Sequence, residues 1–543
     1  MYEIQRTVRF RSLARIARNS WIFTIRLFRH FSSPARPGWR VFLASNSGVA
    51  ISGLLISCSG SIKPFQGVAE PALPPANDAS WTQLVALRQD NWFHLLDNGP
   101  KAIDWRLRTI DSATQSIDLQ SFLLGDDPLS EELIHRLLLA ADRGVRVRIL
   151  MDDSFLQKRD AAVHAIDSHP NIAFRVYNPY KRRGGGSAVR LLLNLGDFSR
   201  VDHRMHNKLL VVDNRAALIG GRNLAGEYFG HDPTMNFRDL EVLTGGSHVR
   251  SLSKAFDIYW NDHWAIPASD LPGASRPGPS LASYRTKLGR DSSLLRPESS
   301  ALRLRAWSGI CQSAVSGKPT LLVDRPPEKN PALASEAPVQ VAHDLRRLID
   351  AAKFEVILIS AYFIPTQELE AAVERAESRG VQIKILTNSL RSNNHTAAHA
   401  SYRRHLMRLV HHGADLHELR AYGKDRSRHM KGAAANRSLA LHAKALIIDR
   451  DKAFVGSCNL DARSLRINTE VGLLIESPQL NRRLRDAVEL DFHPRNAWHV
   501  QKQFDGSLRW VGDEQTLKVP PAVSGMQRLE DWIFTLLPIE GEM

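Results

Sequence analysis

The 543-residue chain contains an internal duplication, and this limits what it can fold into. Residues 110–153 read IDSATQSIDLQSFLLGDDPLSEELIHRLLLAADRGVRVRILMDD, and residues 349–389 read IDAAKFEVILISAYFIPTQELEAAVERAESRGVQIKILTNS. Both predict the end of a helix, a strand (116–123 and 355–363), a second helix, a glycine stop and a second strand. In the first copy Ser130 is the expected N-cap, Glu131 and Glu132 suit the first turn, and Gly144 ends the helix. Thr366, Glu368 and Gly380 repeat these parts, with Gly380 236 residues after Gly144. Val145, Val147 and Ile149 alternate with Arg146 and Arg148 as a strand requires, and Val381, Ile383 and Ile385 follow the same period. Strands alternating with helices of this length predict an α/β fold in each copy. The whole reads as two similar α/β/α sandwich halves, related by a pseudo-two-fold axis and sharing one site at their interface.

The chemistry follows each second strand. The first copy continues into His206-Asn207-Lys208-Leu209-Leu210-Val211-Val212-Asp213, then Gly220, Gly221 and Asn223. The second continues into His442-Ala443-Lys444-Ala445-Leu446-Ile447-Ile448-Asp449, then Gly456, Ser457 and Asn459, at the same 236-residue offset. Period-two spacing puts His and Lys on one face of an extended segment. The apolar runs after them predict a buried strand, and the glycines predict a tight turn that brings backbone close to a bound oxyanion. One H-x-K-x-x-x-x-D is a weak signal. Two in register, with Gly and Asn echoed downstream, are not a coincidence, and neither copy has lost its His, Lys or Asn.

These residue types suit a phosphodiester. Two lysines and two amides neutralise and orient its non-bridging oxygens as charge builds up. Two histidines supply a nucleophile and a general acid titrating near neutrality. No Asp/Glu/His cluster has the spacing of a two-metal phosphatase, so neither metal nor other cofactor is expected.

The paired motifs closely resemble the phospholipase D superfamily over residues ~100–265 and ~336–543, and locally resemble its bacterial cardiolipin synthases. The local likeness lies in Arg204-Met205-His206-Asn207-Lys208, Gly220-Gly221-Arg222-Asn223 with Glu227-Tyr228-Phe229, and Leu536-Leu537-Pro538-Ile539-Glu540. The resemblance implies a covalent two-step reaction with His206 as nucleophile and His442 as acid and base. It implies that Lys208, Lys444, Asn223 and Asn459 bind phosphate. The motif aspartates Asp213 and Asp449 belong to the same catalytic signature, although their place favours bracing the fold over touching phosphorus. It further implies an acid on a later strand to orient each histidine. Glu470 stands 28 residues after His442, and Asp239, which aligns with it, stands 33 after His206, a difference that an insertion around residues 230–234 absorbs.

Other signals weigh less. Arg182-Arg183-Gly184-Gly185-Gly186 lacks the Lys-Ser/Thr of a phosphate-gripping loop and reads as a flexible loop. His395, His399, His405, His411 and His412 match no metal motif, though His399 with Tyr402 is a candidate neighbour of the pocket. Cys311 and Cys458 read as small packing residues.

The 72 Lys+Arg against 57 Asp+Glu give a net charge of +15, but nine arginines against Glu3 in residues 1–40 hold +8 of it and leave +7 for the rest. The Arg-rich leader precedes the 17 residues VFLASNSGVAISGLLIS at 41–57, shorter and more polar than the ~20 apolar residues of a spanning helix. Basic stretch, short apolar stretch and small residues have the layout of a secretory signal. Leu55-Ile56-Ser57-Cys58 resembles a lipobox, implying lipidation of Cys58 and a place in the bacterial cell envelope. The expected domains are therefore a leader (1–60), a Pro/Ala-rich tether and lead-in (61–99), a first half (100–265), a Pro/Gly/Ser-rich linker or insertion (266–335) and a second half (336–543). The expected partners are phospholipid substrates and a membrane surface, with the modest remaining charge arguing against nucleic acid. Both motifs lie in one chain, so a monomer suffices. The leading expectation is a phosphatidyltransferase that makes cardiolipin. The alternatives are a metal-independent nuclease of the same superfamily and an inactive lipid-binding envelope protein.

Overall fold

The computed structural model describes residues 62–537 except 157–158, 184–189, 191–192, 272–279, 292–297 and 328–339. The leader with Cys58, the glycines Gly184, Gly185 and Gly186, and Pro538, Ile539 and Glu540 lie outside the described residues.

The protein has a duplicated α/β architecture. The first half supplies β1 (Trp92–Leu96), β2 (Ser116–Ser121), β3 (Arg146–Asp152), β4 (Ile172–Tyr177), β5 (Leu209–Val212), β6 (Ala216–Gly220), β7 (Met235–Arg238), β8 (Glu241–Gly245), β9 (Ala265–Pro267) and β10 (Val315–Ser316). The second supplies β11 (Lys318–Val323), β12 (Glu355–Ser360), β13 (Phe363–Ile364), β14 (Gln382–Asn388), β15 (Asp415–Leu419), β16 (Ser438–Leu441), β17 (Lys444–Ile448) and β18 (Lys452–Gly456). It continues with β19 (Leu460–Asp461), β20 (Val471–Glu476), β21 (Ala497–Lys502), β22 (Leu508–Val511) and β23 (Thr516–Leu517). One sheet runs β10-β1-β8-β6-β5-β2-β3-β4-β9 and the other β11-β20-β18-β17-β12-β14-β15-β21-β22-β23. The run β8-β6-β5-β2-β3-β4 thus recurs as β20-β18-β17-β12-β14-β15. In both, the two parallel pairings follow the repeated strand–helix–strand units, and the remaining pairings are antiparallel.

Local chemistry sets these elements. The helix Pro128–Asp142 is capped by Asp127, whose carboxylate accepts from Leu129 N and Ser130 N at 3.0 Å, so Ser130 is not the N-cap. Pro128 suits the first helical position, where its missing N–H costs nothing, and the start moves three residues earlier. Thr366 does cap Gln367–Ser378. Gly144 (φ +91°) and Gly380 (φ +83°) end the helices in the left-handed region that glycine enters without steric penalty.

The halves share a core. Leu209, Val211, Ile219 and Val242 pack in one cluster with Ala445, Ile447, Val455 and Leu473. The helices Val249–Trp260 and Pro478–Glu489 lie in it, each touching its own sheet and a strand of the other half. The 266–335 segment does not behave as a linker. Within it the helix Ser300–Ser313 buries Trp307 against Trp81, Trp92 and Trp105, and β10 and β11 join different sheets on either side of Gly317. The Pro/Ala-rich stretch after residue 61 is packed as well. Glu70 accepts from Arg148 and Trp260, and Ala72 N donates to Asp257. Side chains here satisfy a backbone that prolines keep out of a ladder. Among the described residues no helix is long and apolar enough to cross a membrane.

The motif aspartates brace this frame. Asp213 accepts from Thr114 N, Gln115 N and Ser116 N at 2.7–2.8 Å and from Trp81 Nε1 at 2.6 Å. Asp449 gathers Lys353 N, Phe354 N and Glu355 N at 2.8–3.2 Å. Each thus ties the turn before β2 or β12 to the far end of β5 or β17, away from its histidine. Asp213→Ala leaves four donors without their acceptor and should destabilise the fold by about 2–4 kcal/mol, read as a lower midpoint in urea unfolding.

Candidate active site

The two histidines sit where the halves exchange backbone. His206 and Lys208 lie in the extended segment entering β5, and His442 lies between β16 and β17. His206 N donates to Thr469 O at 2.9 Å and Thr469 N returns to Arg204 O at 2.9 Å. On the other side β7 pairs in parallel with β16, Leu441 facing Arg238, and His442 N donates to Arg238 O at 2.8 Å. Each histidine is therefore stitched to the segment of the opposite half that ends in an acid.

This reverses the pairing that the alignment implied. Glu470 does not orient His442 but holds His206, with Nδ1 2.9 and 3.0 Å from its two oxygens. Asp239 does not orient His206 but holds His442, 2.6 Å from Nδ1. Both carboxylates are fully buried. Spacing along one chain says nothing about which of two equivalent partners a strand crosses to. With Nδ1–H donated to a carboxylate, each Nε2 keeps its lone pair for the site.

Lysines and amides complete the arrangement. Lys208 Nζ donates to His206 O at 2.6 Å, and Lys444 Nζ donates to His442 O and lies 2.9 Å from His442 Nδ1. Asn223 and Asn459 each bury a side-chain oxygen with no protein partner, a matching unsatisfied amide in each half. Burial, with the two lysines second, holds both imidazoles well below their ordinary pKa. Burial also pushes Lys208 down to about 7 and Lys444 down to about 8, opposed by Glu470 and Asp239. Glu470 is raised to about 7 and Asp239 is raised, again by burial with the lysines opposing. Each carboxylate feels both lysines, and each imidazole feels the ammonium of the other half, so the two motifs form one electrostatic unit. His206 and His442 retain 7% and 6% accessibility, so neither ring is wholly sealed from solvent.

The motif glycines work differently from expectation. A Cβ on Gly220 would sit 2.4 Å from Leu240 O, and one on Gly456 would sit 2.6 Å from Val471 O. They admit a neighbouring strand rather than an oxyanion. A Cβ on Gly221 would lie 2.2 Å from Asp239 Oδ1, whereas Ser457, its counterpart, donates its hydroxyl to Glu470 Oε2 at 2.5 Å.

Several contributors had no assigned role in the motif. Phe122 meets the His206 ring edge-to-face at 5.0 Å, and Tyr228 meets His442 at 4.8 Å with Phe237 at 5.2 Å. The available signal was position: Phe122 follows the carboxyl end of β2, the end where α/β sheets bind ligands. His399 and Tyr402 are not in this site. His399 Nδ1 pairs with buried Asp531 at 2.7 Å, and Tyr402 donates to Glu418 at 3.1 Å. Cys458 is buried and burial pushes its thiol well up, which keeps it inert. Among the described residues, Asp415, His417 and His499 are the one cluster with a metal-like donor set. Its carboxylate already serves both imidazoles, at 2.8 and 3.1 Å, with Lys384 at 3.8 Å. This cluster reads as an ion-pair network tying β15 to β21.

The family model described as "Cardiolipin synthase, PLD-like domain" matches residues 107–260 and 345–491, one segment per half, each holding one motif. The chain belongs to the phospholipase D superfamily. Cardiolipin synthase C of Escherichia coli is 34% identical over 463 residues, covering 82% of this chain and 94% of that protein. Cardiolipin synthase A of Pseudomonas aeruginosa is 28% identical over 408 residues, covering 74% and 67%. The crystal structure of phosphatidylserine synthase from Haemophilus influenzae superposes with a TM-score of 0.54 at 13% identity over 86% of this chain and all of that one, which shows a common fold. The protein is thus a phospholipase D-type enzyme similar to the bacterial cardiolipin synthases.

Two outcomes follow from the crossed geometry. Glu470→Gln should perturb the Nδ1 nitrogen resonance of His206 and leave that of His442 in place, Asp239→Asn should do the reverse, and each should lower turnover by about 10²–10⁴-fold. In a proton NMR titration of the free protein, both imidazoles should stay neutral below pH ~6.5, the usual imidazole midpoint. Lys444→Met removes a facing cation and should move the His442 midpoint to higher pH.

Proposed function

We propose that the protein is a phosphatidyltransferase that joins two phospholipids into cardiolipin and releases a small alcohol. The observation that carries this reading is the pair of carboxylate-held histidines with Lys208 and Lys444 in one buried unit, in a chain similar to cardiolipin synthase C over nearly that protein's whole length. His206 Nε2 attacks phosphorus, and the P–O bond to the headgroup alcohol breaks as a phosphohistidine forms. His442 donates its proton to the departing oxygen, then removes one from the hydroxyl of the acceptor phospholipid, which attacks phosphorus and frees His206. Lys208, Lys444, Asn223 and Asn459 hold the non-bridging oxygens throughout. The low basicity of the free imidazoles fits this sequence. His206 is an unprotonated nucleophile at rest, and the bound phosphodiester anion offsets the lysines and lifts His442 enough to carry a proton.

Purified protein given phosphatidylglycerol, with or without phosphatidylethanolamine, should form cardiolipin in the presence of EDTA. A preparation that cleaves other phosphodiesters, DNA included, yet makes no cardiolipin would sink the reading in favour of a nuclease. Acid-labile ³²P should be trapped on protein in the wild type and be lost in His206→Ala, with turnover down by about 10³-fold or more.

A further inference from the structure

The C-terminal helix, Gly525–Thr535, is built inside out. Its inward face holds polar anchors beside Phe534, which packs on the second-half core: Asp531, 1% exposed, accepts from His399 and from Arg403 at 3.1 Å, and Gln527 donates to Leu390 O at 2.8 Å. Its outward face carries Met526, Leu529, Trp532 and Ile533, continued by Leu536 just past its end, each between 46% and 71% exposed. Steps of three and four residues align these side chains in one stripe. A soluble helix directs such a stripe at the core, so this one requires a cover other than water.

Its surroundings are cationic. Arg528 is exposed on the helix itself, Arg403 pairs with Asp531, Arg404 donates to Thr535 O and Leu537 O, and exposed Arg391 follows the Leu390 that Gln527 holds. The helix is linked to the site only indirectly, through the segment that Gln527 holds. Leu390 comes two residues after Asn388, whose amide brackets Leu441, the residue before His442, at 2.8 Å on both sides.

We propose that this stripe seats the protein on an anionic phospholipid surface, a role that rests on the phosphatidyltransferase reading and places the bilayer beside the loop that positions His442. Arginines around an apolar face with one tryptophan match acyl chains below and phosphate headgroups around the rim. A second copy fits less well. An 11-residue helix is only about 16 Å long and ~10 Å wide, so one face offers on the order of 160 Å², far short of the ~800 Å² per partner of a stable dimer, and two copies would bring their arginines together. The Arg-rich residues 1–40 would meet the same repulsion.

The test uses the full-length chain and phosphatidylglycerol vesicles, one set brominated in the acyl chains. Tryptophan emission should be quenched by the brominated vesicles in the wild type, and that quenching should be largely lost in Trp532→Phe. Leu529→Glu/Ile533→Glu, with its near-ultraviolet circular dichroism unchanged, should bind vesicles about tenfold or more weakly. It should keep wild-type turnover on detergent-dispersed phospholipid and lose turnover on vesicles in step with binding. Equal quenching in Trp532→Phe overturns the proposal, as does undiminished vesicle binding by the double variant. A wild-type dimer that the double variant makes monomeric, with vesicle binding unchanged, overturns it in favour of a second copy. Absent turnover on both lipid forms, in the wild type too, counts against the phosphatidyltransferase reading alone, because quenching still decides the docking.

Discussion

Everything in this molecule that concerns chemistry depends on two crossed hydrogen bonds, His206 to Glu470 and His442 to Asp239. An imidazole serves as nucleophile or acid only if its tautomer and ring plane are held. Here each half holds the ring of the other. A single half contains a histidine, a lysine and an amide, but not the acid that orients its own histidine. The backbone exchange at Thr469 and along β7 and β16 makes this dependence rigid, and the shared apolar cluster beneath it keeps the sheets in place. Duplication is therefore a condition of the site and not a doubling of it.

Burying two lysines, two carboxylates and two imidazoles together costs more in desolvation than their mutual attraction returns. The depressed basicity of the lysines and the raised basicity of Glu470 express that strain. On the proposed phosphatidyltransferase reading, a phosphodiester anion entering between Lys208 and Lys444 relieves it by favouring the charged form of both lysines. The same residues thus weaken the empty fold and strengthen the complex, the usual direction in which a site built for a charged transition state departs from a site built for stability. The work of bracing falls to others. Asp213 and Asp449, although part of the repeated signature, hold the turns before β2 and β12 at the opposite strand ends.

Much of this was legible in the chain. The 236-residue offset announced two equal α/β units, and period-two spacing placed each His and Lys together. What could not be read was anything that crosses from one half to the other. The swap of Glu470 and Asp239 is invisible because both assignments satisfy the same local pattern. The 266–335 segment looked like a linker because Pro, Gly and Ser dominate it. It nevertheless delivers Trp307 into an aromatic cluster and steps between sheets at Gly317, where a Cβ would press on Ile475 at 2.9 Å. The inverted helix at Gly525–Thr535 escaped for a related reason. Its periodicity is that of any amphipathic helix, and only the Asp531–His399 contact reveals which face points inward.

The two crossings are equivalent but not identical. Aspartate is one methylene shorter than glutamate, so Asp239 reaches His442 only if its backbone comes closer, and Gly221 supplies the room that a side chain would fill. Glu470 reaches further and leaves space for the Ser457 hydroxyl, which fixes its second oxygen. Acid and neighbour are thus matched as Asp with Gly and Glu with Ser, so exchanging either acid alone would create a gap on one side and a clash on the other. The extra residues around Gly230–Thr234 are likewise not slack. Gly230 packs against His429 O in the left-handed region, Gly230 O accepts from Lys431 N, and the chain then enters β7 to run beside β16. The insertion lengthens one of the two crossings from a single bridge at Thr469 into a four-residue ladder, and so anchors the histidine whose acid has the shorter reach.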